Sequence, residues 1–336
     1  MRKIGIIGAG SWGTALAVNL TRNNHEVVIW SIMEDEINML KEHREHLDKL
    51  PGIKLADTIS FTTDMEKAIK GMDMLVLAVP SIFTRSTSKN MAPFVEEGQI
   101  ITCVGKGIED DTFMTITDIV EEEIPQADVC VLCGPSHAEE VGLGLPTTVV
   151  AGARSQKSAE YIQDTFMNET FRVYTSPDML GMELGGAFKN VIALAAGMCD
   201  GLGFGDNTKA ALIVRGISEV ARLAVAMGAN PDTVNGLTGV GDLIVTCQSK
   251  HSRNRKAGEL MGRGMTMEEA TKEVKMVVEG VYSAKAALAL GKKYYVQMPI
   301  IEEVNKVLFE DKSAKEAVYD LMLREKRVES NSLDWK

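Results

Sequence analysis

The chain lacks an excess of positive charge, and it lacks the cysteine pattern of a disulfide-bonded protein. Its 336 residues include 36 lysines and arginines against 47 aspartates and glutamates, a formal net charge of −11. Without a summed positive field to attract phosphate backbones, we expect no nucleic-acid partner. The five cysteines are an odd number scattered along the sequence, which suits a reducing cytoplasm.

Only one pair of cysteines, Cys130 and Cys133, has the spacing of metal ligands. The pair lies within the apolar run 129–133, and no second pair accompanies it. A buried strand therefore explains the pair better than zinc or redox chemistry does, and we predict no metal site.

Long hydrophobic runs are scarce as well. The opening strand meets a glycine almost at once, so it lacks the long apolar region of a secretory leader. The longest apolar stretch, 184–198, carries Lys189 and Asn190 in its middle together with several glycines. We predict a buried helix there rather than a membrane span, and a cytoplasmic location.

The opening residues contain the pattern G-x-G-x-x-G at Gly8, Gly10 and Gly13, between an apolar strand, 3–7, and a helically spaced run, 14–20. Strand, turn and helix are the context that a dinucleotide site requires. Gly8 permits the tight turn, Gly10 lets the backbone approach a pyrophosphate, and Gly13 allows the helix to pack closely on the strand. The free N–H groups of the helix N-terminus face the anion. The alternative is a glycine-rich turn that binds no ligand.

Strand and helix patterns alternate up to about residue 175, which predicts a mainly parallel, doubly wound sheet. The predicted strands are 3–7, 26–30, 58–61, 74–79, 99–104, 129–133, 147–151 and 171–174.

Beyond Tyr174 the strand patterns stop, and Ser176-Pro-Asp is typical of a helix start. The predicted helices that follow are 178–199, 208–227, 253–261, 266–274, 281–290, 299–309 and 313–324. The predicted fold class is therefore an α/β N-terminal Rossmann-type doubly wound sheet, residues 1–177, followed by an all-α C-terminal domain, residues 178–336. We expect the polar end, 329–336, to be frayed.

Ligands of open α/β sheets bind beyond the carboxyl ends of the strands, so the residues there are candidates for a site. Lys106 follows the fifth strand between two glycines, which places a cation on bare backbone at the mouth of the crevice. The alternative is a solvated loop lysine. Gly134-Pro-Ser136 follows the sixth strand at the same edge.

Lys189 lies on the apolar helix 178–199, where its face neighbours are Gly185, Gly186, Ile192 and Ala193. Three of these neighbours are too small to shield its charge or to pair with it. Burial lowers the pKa of a lysine, which makes the group useful as an acid in one direction and as a base in the other. The alternative is a side chain that extends to solvent.

Further downstream, Asp242 in Gly239-Val-Gly-Asp-Leu could neutralise or orient Lys189. Ser252 has the pattern of a helix cap, and Arg253 and Asn254 follow it directly. Free N–H groups, the helix dipole and a guanidinium would converge there on one anion, so we predict a phosphate site. A plain capped surface helix explains Ser252 alone.

Together these segments resemble the bacterial NAD(P)-dependent glycerol-3-phosphate dehydrogenases from residue 4 to about residue 324. The motifs that carry the resemblance are Gly8-Ala-Gly-Ser-Trp-Gly-Thr-Ala, Gly105-Lys-Gly, Gly134-Pro-Ser, Ala187-Phe-Lys-Asn-Val-Ile-Ala, Gly239-Val-Gly-Asp-Leu and Ser252-Arg-Asn-Arg. The resemblance implies reversible hydride transfer between NAD(P)H and C2 of dihydroxyacetone phosphate. The product, sn-glycerol 3-phosphate, supplies glycerophospholipid synthesis, and a homodimer is implied as well.

The resemblance also implies roles for individual residues, beginning with Lys189 as proton donor and acceptor at the C2 oxygen. The implied substrate contacts are Lys106, Gly134, Ser136, Lys189, Asp242, Ser252, Arg253 and Asn254. The implied cofactor contacts, besides the glycine turn, are Ser11, Trp12, Lys106, Ala138, Arg253, Val277 and Glu279. Asn190 and Thr246 match positions that related enzymes use near the substrate, and they rank second.

The sequence departs from the family at the adenosine end of the coenzyme. Relatives often have His or Arg just after the second strand, whereas this chain has Ser31-Ile-Met-Glu34. Glu34 is expected to close a capping box with Ser31 rather than to bind the ribose. Lys49 stands where many relatives have tyrosine, and because a lysine could approach a 2′-phosphate, it favours NADPH.

Three alternatives remain open. Another Rossmann-plus-helical dehydrogenase, acting on a phosphorylated or CoA-linked hydroxy substrate, would share the architecture but not the last two motifs. An NAD-sensing module would keep the glycine turn and need no buried Lys189. A scaffold would leave the polar clusters unexplained.

Overall fold

The structure is a computed structural model, and it describes residues 1–326, 328 and 329. The end of the chain that was predicted to be frayed, 329–336, lies outside the described residues except for Glu329.

Eight strands form one sheet in the order β3-β2-β1-β4-β5-β6-β7-β8. Their bounds are β1 Lys3–Ile7, β2 Glu26–Trp30, β3 Ser60–Thr62, β4 Met74–Leu77, β5 Ile100–Cys103, β6 Asp128–Cys133, β7 Thr147–Gly152 and β8 Phe171–Ser176. All neighbours pair in parallel except β6 and β7, which are antiparallel. Each predicted strand is present, with ends shifted by a few residues at most, and the doubly wound, mainly parallel sheet is confirmed.

Helices cover both faces of this sheet. They are α1 Ser11–Arg22, α2 Glu34–His43, α3 Met65–Ile69, α4 Thr84–Met91, α5 Ile116–Glu123, α6 Ala138–Leu143 and α7 Gln156–Phe166. Alternate strand residues point to opposite faces. Ile4 and Ile6 accordingly belong to one buried cluster, while Ile7, Leu75 and Leu77 belong to another.

The chain after β8 is helical throughout its described part. Its helices are α8 Met179–Gly201, α9 Asp206–Ala226, α10 Pro231–Asn235, α11 Asp242–Gln248, α12 Arg253–Gly262, α13 Met267–Val274, α14 Glu279–Lys293, α15 Pro299–Phe309 and α16 Ala314–Met322. Helix α8 is the centre of this domain and packs against α9, α11, α12 and α14. It is long and apolar enough to cross a membrane, but 94% of its most apolar window is buried in the protein, as expected of a core helix.

One segment differs from the sequence-based prediction. Residues 242–248 belong to none of the predicted helices, whereas the structure has a π-helical turn, Leu237–Gly241, that leads into helix α11. Leu243 and Cys247 lie one helical turn apart and are fully buried. The helix is only seven residues long, so packing on α8 rather than its own periodicity stabilises it.

A second difference concerns the start of α2. The predicted capping box between Ser31 and Glu34 is wrong, because α2 begins at Glu34 with Met33 as its N-cap. Glu34 is thus the first residue of the helix, not the third, and it does not reach back to Ser31. The Ser31 hydroxyl donates a hydrogen bond to the Glu36 carboxylate instead.

Candidate active site

The turn from β1 to α1 has the geometry of an anion site. Gly8 has a φ of 121°, and a Cβ on Gly13 would lie 2.1 Å from the Gly8 carbonyl oxygen, so both positions require glycine. A Cβ on Gly10 would meet no described protein atom within 4 Å. Helix α1 starts there without a side-chain cap and without an acid in its first turn. The open space beside free N–H groups fits the pyrophosphate of a dinucleotide.

Three charged side chains meet beyond the carboxyl ends of β5 and β6. Lys106 Nζ lies 2.6 Å from Asp242 Oδ2 and donates a second hydrogen bond, of 3.0 Å, to the carbonyl oxygen of Gly134. Lys189 Nζ donates to the other carboxylate oxygen, Oδ1, and to Thr246 Oγ1 at 2.7 Å. Asp242 therefore joins the two lysines and leaves this group with one net positive charge.

Burial and the shared carboxylate set the protonation of this group. Burial lowers the pKa of Lys189 to about 8; the charge of Lys106 lowers it as well, and Asp242 opposes both. Burial alone would lower the pKa of Lys106 too, but the attraction of Asp242 outweighs it, and that pKa is raised. Burial would raise the pKa of Asp242, yet the two ammonium groups hold it below its usual range. Lys189 is thus the group able to exchange a proton near neutral pH.

The small residues beside Lys189 explain how the site is assembled. A Cβ on Gly185 would lie 2.9 Å from the Thr238 carbonyl oxygen, at the π-helical turn. A Cβ on Gly186 would lie 3.0 Å from Cys133 Sγ and 3.5 Å from Lys106 Cγ. Because Gly185 and Gly186 have no side chain, the sheet edge and the turn before α11 can approach Lys189 closely.

Helix α12 begins at Arg253, and its Asn254 side chain is hydrogen-bonded to Asn190, the residue that follows Lys189. Ser252 Oγ accepts the Arg255 N–H at 3.2 Å, which leaves the N–H groups of Arg253 and Asn254 without a cap. Arg253 Nη1 donates to the carbonyl oxygen of Val277 at 3.2 Å. Because one guanidinium nitrogen is used there, the other N–H groups remain able to bind an anion.

The sequence predicted that Asn254 contacts the substrate, but in the structure its side chain is hydrogen-bonded to other protein residues. Its Nδ2 donates to Asn190 Oδ1 at 3.0 Å, and its Oδ1 accepts the Gly280 N–H at 2.8 Å. The side chain fixes α12 against α8 and α14, so a contact of Asn254 with an anion would be made by its backbone N–H.

Glu279 lies at the start of α14 and reaches across to the sheet domain. Its carboxylate accepts the N–H of Ser81 at 3.1 Å and also the Ser81 hydroxyl. Burial raises the pKa of Glu279, and Ser81 and Arg253 partly oppose that shift. Ser81 directly follows the Val79-Pro80 end of the fourth strand region, and sequence analysis gave it no role.

The remaining predicted residues make no direct hydrogen bond to the lysines in the described part of the chain. Ser136 Oγ donates to the carbonyl oxygen of Gly134 at 3.0 Å, which Lys106 also contacts. Ser11 and Trp12 are half-buried at the start of α1, and Ala138 is buried at the start of α6. No hydrogen bond among the described residues links these three to Lys106 or Lys189.

Two further residues of the centre were underrated or missed. Thr246, ranked second by sequence, contacts Lys189 and donates to the Asp242 carbonyl oxygen at 2.6 Å. His137 has a buried Nε2 atom without a hydrogen-bond partner in the described structure. Burial, helped by the charges of Lys189 and Lys106, lowers the pKa of His137 to about 4 and keeps it neutral. The only signal for His137 was its position after Gly134-Pro-Ser.

Cys130 and Cys133 are buried in β6, as the strand interpretation predicted. Within residues 1–326, 328 and 329, no group of three or more His, Cys, Asp or Glu side chains is arranged to hold a metal ion.

A Rossmann-type sheet with an open glycine turn, joined to a helical domain that supplies a buried lysine, defines a two-domain NAD(P)-dependent dehydrogenase. Family models agree with this class: the model of the NAD-dependent glycerol-3-phosphate dehydrogenase N-terminus matches residues 3–159, and the model of the C-terminus matches residues 178–319. The chain belongs to the NAD-dependent glycerol-3-phosphate dehydrogenase family.

Individual relatives support this assignment over the whole length of the chain. A glycerol-3-phosphate dehydrogenase (NAD(P)+) of Agathobacter rectalis is 73% identical over 336 residues and is matched along 100% of both chains. That of Bacillus subtilis is 51% identical, covering 99% of this chain and 97% of the relative. The crystal structure of glycerol-3-phosphate dehydrogenase from Coxiella burnetii superposes with a TM-score of 0.93 at 34% identity, over 96% of this chain and 99% of that one.

Other dehydrogenases share the fold alone. D-mandelate dehydrogenase with NADH and anilino(oxo)acetate superposes with a TM-score of 0.61 at 15% identity, over 96% of this chain and 100% of that one. Fold similarity alone is therefore compatible with the alternative, a Rossmann-plus-helical dehydrogenase for another hydroxy substrate. The family match does not support that alternative.

Proposed function

We propose that this chain catalyses the reversible NAD(P)H-dependent reduction of dihydroxyacetone phosphate to sn-glycerol 3-phosphate. The observation that carries the proposal is the buried group of Lys189, Asp242 and Lys106, which lies beyond the carboxyl ends of β5 and β6. The Asn190–Asn254 hydrogen bond connects it to the first turn of α12. The group provides a proton and positive charge, and the helix provides a place for a phosphate.

Lys189 is the proposed proton donor in the reduction. Its ammonium group protonates the C2 oxygen of the substrate as the carbonyl becomes a hydroxyl, and its neutral amine accepts that proton in the reverse direction. A pKa of about 8 leaves both forms accessible near neutral pH. Bound NAD(P)H supplies the hydride for C2, and the open turn at Gly10 fits its pyrophosphate.

Lys106 and Asp242 position this donor and stabilise charge. Asp242 holds Lys189 through Oδ1 while Thr246 fixes the same ammonium group from a second side. The raised pKa of Lys106 keeps that lysine charged, so it stabilises negative charge that develops on the substrate oxygen.

The proposed phosphate subsite is formed by Ser252, Arg253 and Asn254. The uncapped N–H groups of α12 and the Arg253 guanidinium supply donors and positive charge to a phosphate dianion. Gly134 and Ser136 are the proposed substrate contacts on the sheet side. Ser11, Trp12, Ala138, Val277 and Glu279 are the proposed cofactor contacts along the crevice.

The proposal assigns coenzyme binding mainly to a domain of residues 1–177 and substrate binding to a domain of residues 178–336. It includes a homodimer in the cytoplasm and a product used for glycerophospholipid synthesis. The test is a coenzyme oxidation assay: purified protein should oxidise NADH or NADPH only when dihydroxyacetone phosphate is added. Oxidation that is equally fast without it, or absent with it, would contradict the proposal.

A further inference from the structure

The side chain of Glu36 is the centre of a buried polar cluster at the start of α2. We define the Glu36 cluster as Ser31, Glu36, His46 and Lys49. Glu36 Oε1 accepts from His46 Nε2 at 2.9 Å and from Lys49 Nζ, and Oε2 accepts the Ser31 hydroxyl. Glu36 is 7% exposed and His46 is 1% exposed, so the cluster is built into the fold rather than formed on the surface.

Hydrogen bonding in the cluster uses the donors of Ser31 and His46 and one N–H of the Lys49 ammonium group. His46 Nδ1 accepts the Lys49 N–H at 3.2 Å, which assigns the ring proton to Nε2. Ser31 donates its only hydroxyl proton to Glu36 and accepts the Met33 N–H at 3.2 Å. Burial alone would raise the pKa of Glu36, but bonds from His46, Lys49 and Ser31 lower it to about 2, so the carboxylate is ionised at neutral pH.

The cluster lies where a dinucleotide presents its adenosine ribose. Ser31 directly follows β2, and the Gly8 N–H of the glycine turn donates to the Trp30 carbonyl oxygen at 3.0 Å. In Rossmann-type folds, the residues after the second strand contact the ribose 2′ position. Ile32 and Met33, 77% and 55% exposed, provide an apolar surface beside it.

Charge in this segment is negative. Residues 31–40 contain no lysine or arginine, and Glu34, Asp35 and Glu36 fill the first turn of α2. Lys49, which the sequence suggested as a partner for a 2′-phosphate, is paired with Glu36. A 2′-phosphate carries about −1.5 to −2 charges at neutral pH, so it meets acids here, and Glu36 already compensates the charge of Lys49. A 2′-hydroxyl is uncharged and can donate.

We propose that the Glu36 cluster makes this chain selective for NADH over NADPH, by holding Lys49 and the Ser31 proton away from the ribose 2′ position. The inference rests on the proposed coenzyme site and deepens it. It reverses the preference for NADPH that Lys49 suggested from the sequence alone.

The test compares dissociation constants for NADH and NADPH, measured by fluorescence titration of the protein without substrate. We expect the dissociation constant of the wild-type protein for NADH to be lower than that for NADPH by a factor of about ten or more. One unmatched charged group weakens binding by at least that factor. Glu36→Gln should release Lys49 and shift the ratio of the two constants about tenfold towards NADPH. Glu42→Gln, an exposed acid near the other end of α2, is the control and should leave the ratio unchanged.

Ile32→Arg provides a second route, since Ile32 is exposed and the change leaves the core intact. The added guanidinium should tighten NADPH binding about tenfold and leave NADH nearly unchanged. Wild-type protein that binds NADPH as tightly as NADH overturns the inference, and so does an unchanged ratio in folded Glu36→Gln or in Ile32→Arg. These outcomes are separate from the proposed function, which depends on oxidation of either coenzyme by dihydroxyacetone phosphate.

Discussion

Lys189 and Lys106 share one carboxylate, yet their pKa values move in opposite directions. Lys189 is 6% exposed on the mostly apolar helix α8, where burial has the largest effect on its pKa. Lys106 lies at the sheet edge, where the attraction of Asp242 outweighs the effect of burial and raises its pKa. One aspartate thus supports two different roles, a proton donor and a permanent cation, because the surroundings of the two ammonium groups differ.

Replacing the proposed proton donor tests its role directly. Lys189→Ala should lower kcat by about 10²- to 10⁴-fold, since general acid catalysis contributes on that scale. Coenzyme binding should stay nearly intact, because the lost group acts on the reacting oxygen and Asp242 keeps Lys106 as its partner. Steady-state kinetics and coenzyme titration measure the two effects. Lys272→Ala, an exposed lysine on α13, is the control, and a variant at 189 that retains most of its kcat would refute the assignment.

The pH dependence should follow the pKa of Lys189, about 8. Reduction needs the ammonium form, so kcat/KM for dihydroxyacetone phosphate should fall as pH rises through about 8. Oxidation needs the neutral amine, so kcat/KM for glycerol 3-phosphate should rise over the same range. Initial rates from pH 6 to pH 10 in both directions measure the profiles. Profiles that move in the same direction would contradict a single acid–base group.

Arg253 tests the phosphate subsite. Arg253→Ala should weaken substrate binding by about 2 kcal/mol, or about 30-fold in KM, as expected when one charged hydrogen-bonding partner is lost. Arg253→Lys should recover part of this loss, since it keeps the charge but not the planar fork. An unchanged KM for dihydroxyacetone phosphate in the alanine variant would argue against the phosphate role.

At the scale of elements, the glycines of the β1–α1 turn have different roles, one in packing and another in the proposed coenzyme binding. Gly13 lets α1 pack on β1, whereas Gly10 faces open space. Gly13→Ala places a Cβ 2.1 Å from the Gly8 carbonyl oxygen and should lower the free energy of unfolding by about 1–3 kcal/mol. Gly10→Ala should leave stability nearly unchanged and weaken coenzyme binding.

Urea denaturation and coenzyme titration of both variants separate these effects. A Gly10→Ala protein with normal coenzyme affinity would show that the pyrophosphate does not approach this backbone. A fully stable Gly13→Ala protein would show that α1 can move without cost.

Periodicity predicted the strands and the long helices because each repeats a pattern over several turns or pleats. It failed at α11, where seven residues are too few for a periodic pattern and two glycines precede the helix. The start of α2 was misplaced for a related reason. Ser31 and Glu34 have the spacing of a capping box, but the Ser31 hydroxyl is bound by Glu36, whose position depends on His46 and Lys49.

At the scale of the molecule, the sheet domain and the helical domain meet through buried polar contacts. Lys106 contacts Asp242, Ser81 contacts Glu279, and Thr117 on α5 contacts Glu183 on α8. The first contact belongs to the proposed active site, so the reacting groups come together only when the domains are joined.

Glu183, at the contact between the two domains, should make the stability of the protein depend on pH. Burial raises its pKa to about 7, although the N–H and hydroxyl of Thr117 oppose that shift. An acid whose folded pKa exceeds its ordinary value of 4.5 keeps its proton longer in the folded state. Stability should therefore fall as pH rises from the ordinary pKa to about 7, and this contribution should level off above that.

Melting temperatures at several pH values between 4.5 and 8 measure the effect. Glu183→Gln removes the titrating group and should flatten part of the slope. Glu160→Gln, an exposed acid on α7, should keep the wild-type slope. A Glu183→Gln protein with the same slope as wild type would exclude this carboxyl as the cause.

The sequence by itself determined the local features of this protein: the strand and helix order, the glycine turn and the identity of the residues that carry charge into apolar surroundings. These depend on residues a few positions apart, and their physics is steric or periodic. Tertiary structure alone decided which charges meet. Asp242 lies 136 residues from Lys106 and 53 from Lys189, and Lys49 pairs with Glu36. Such pairings follow from burial and packing across the whole fold, because only there is each charge removed from water and placed beside its partners.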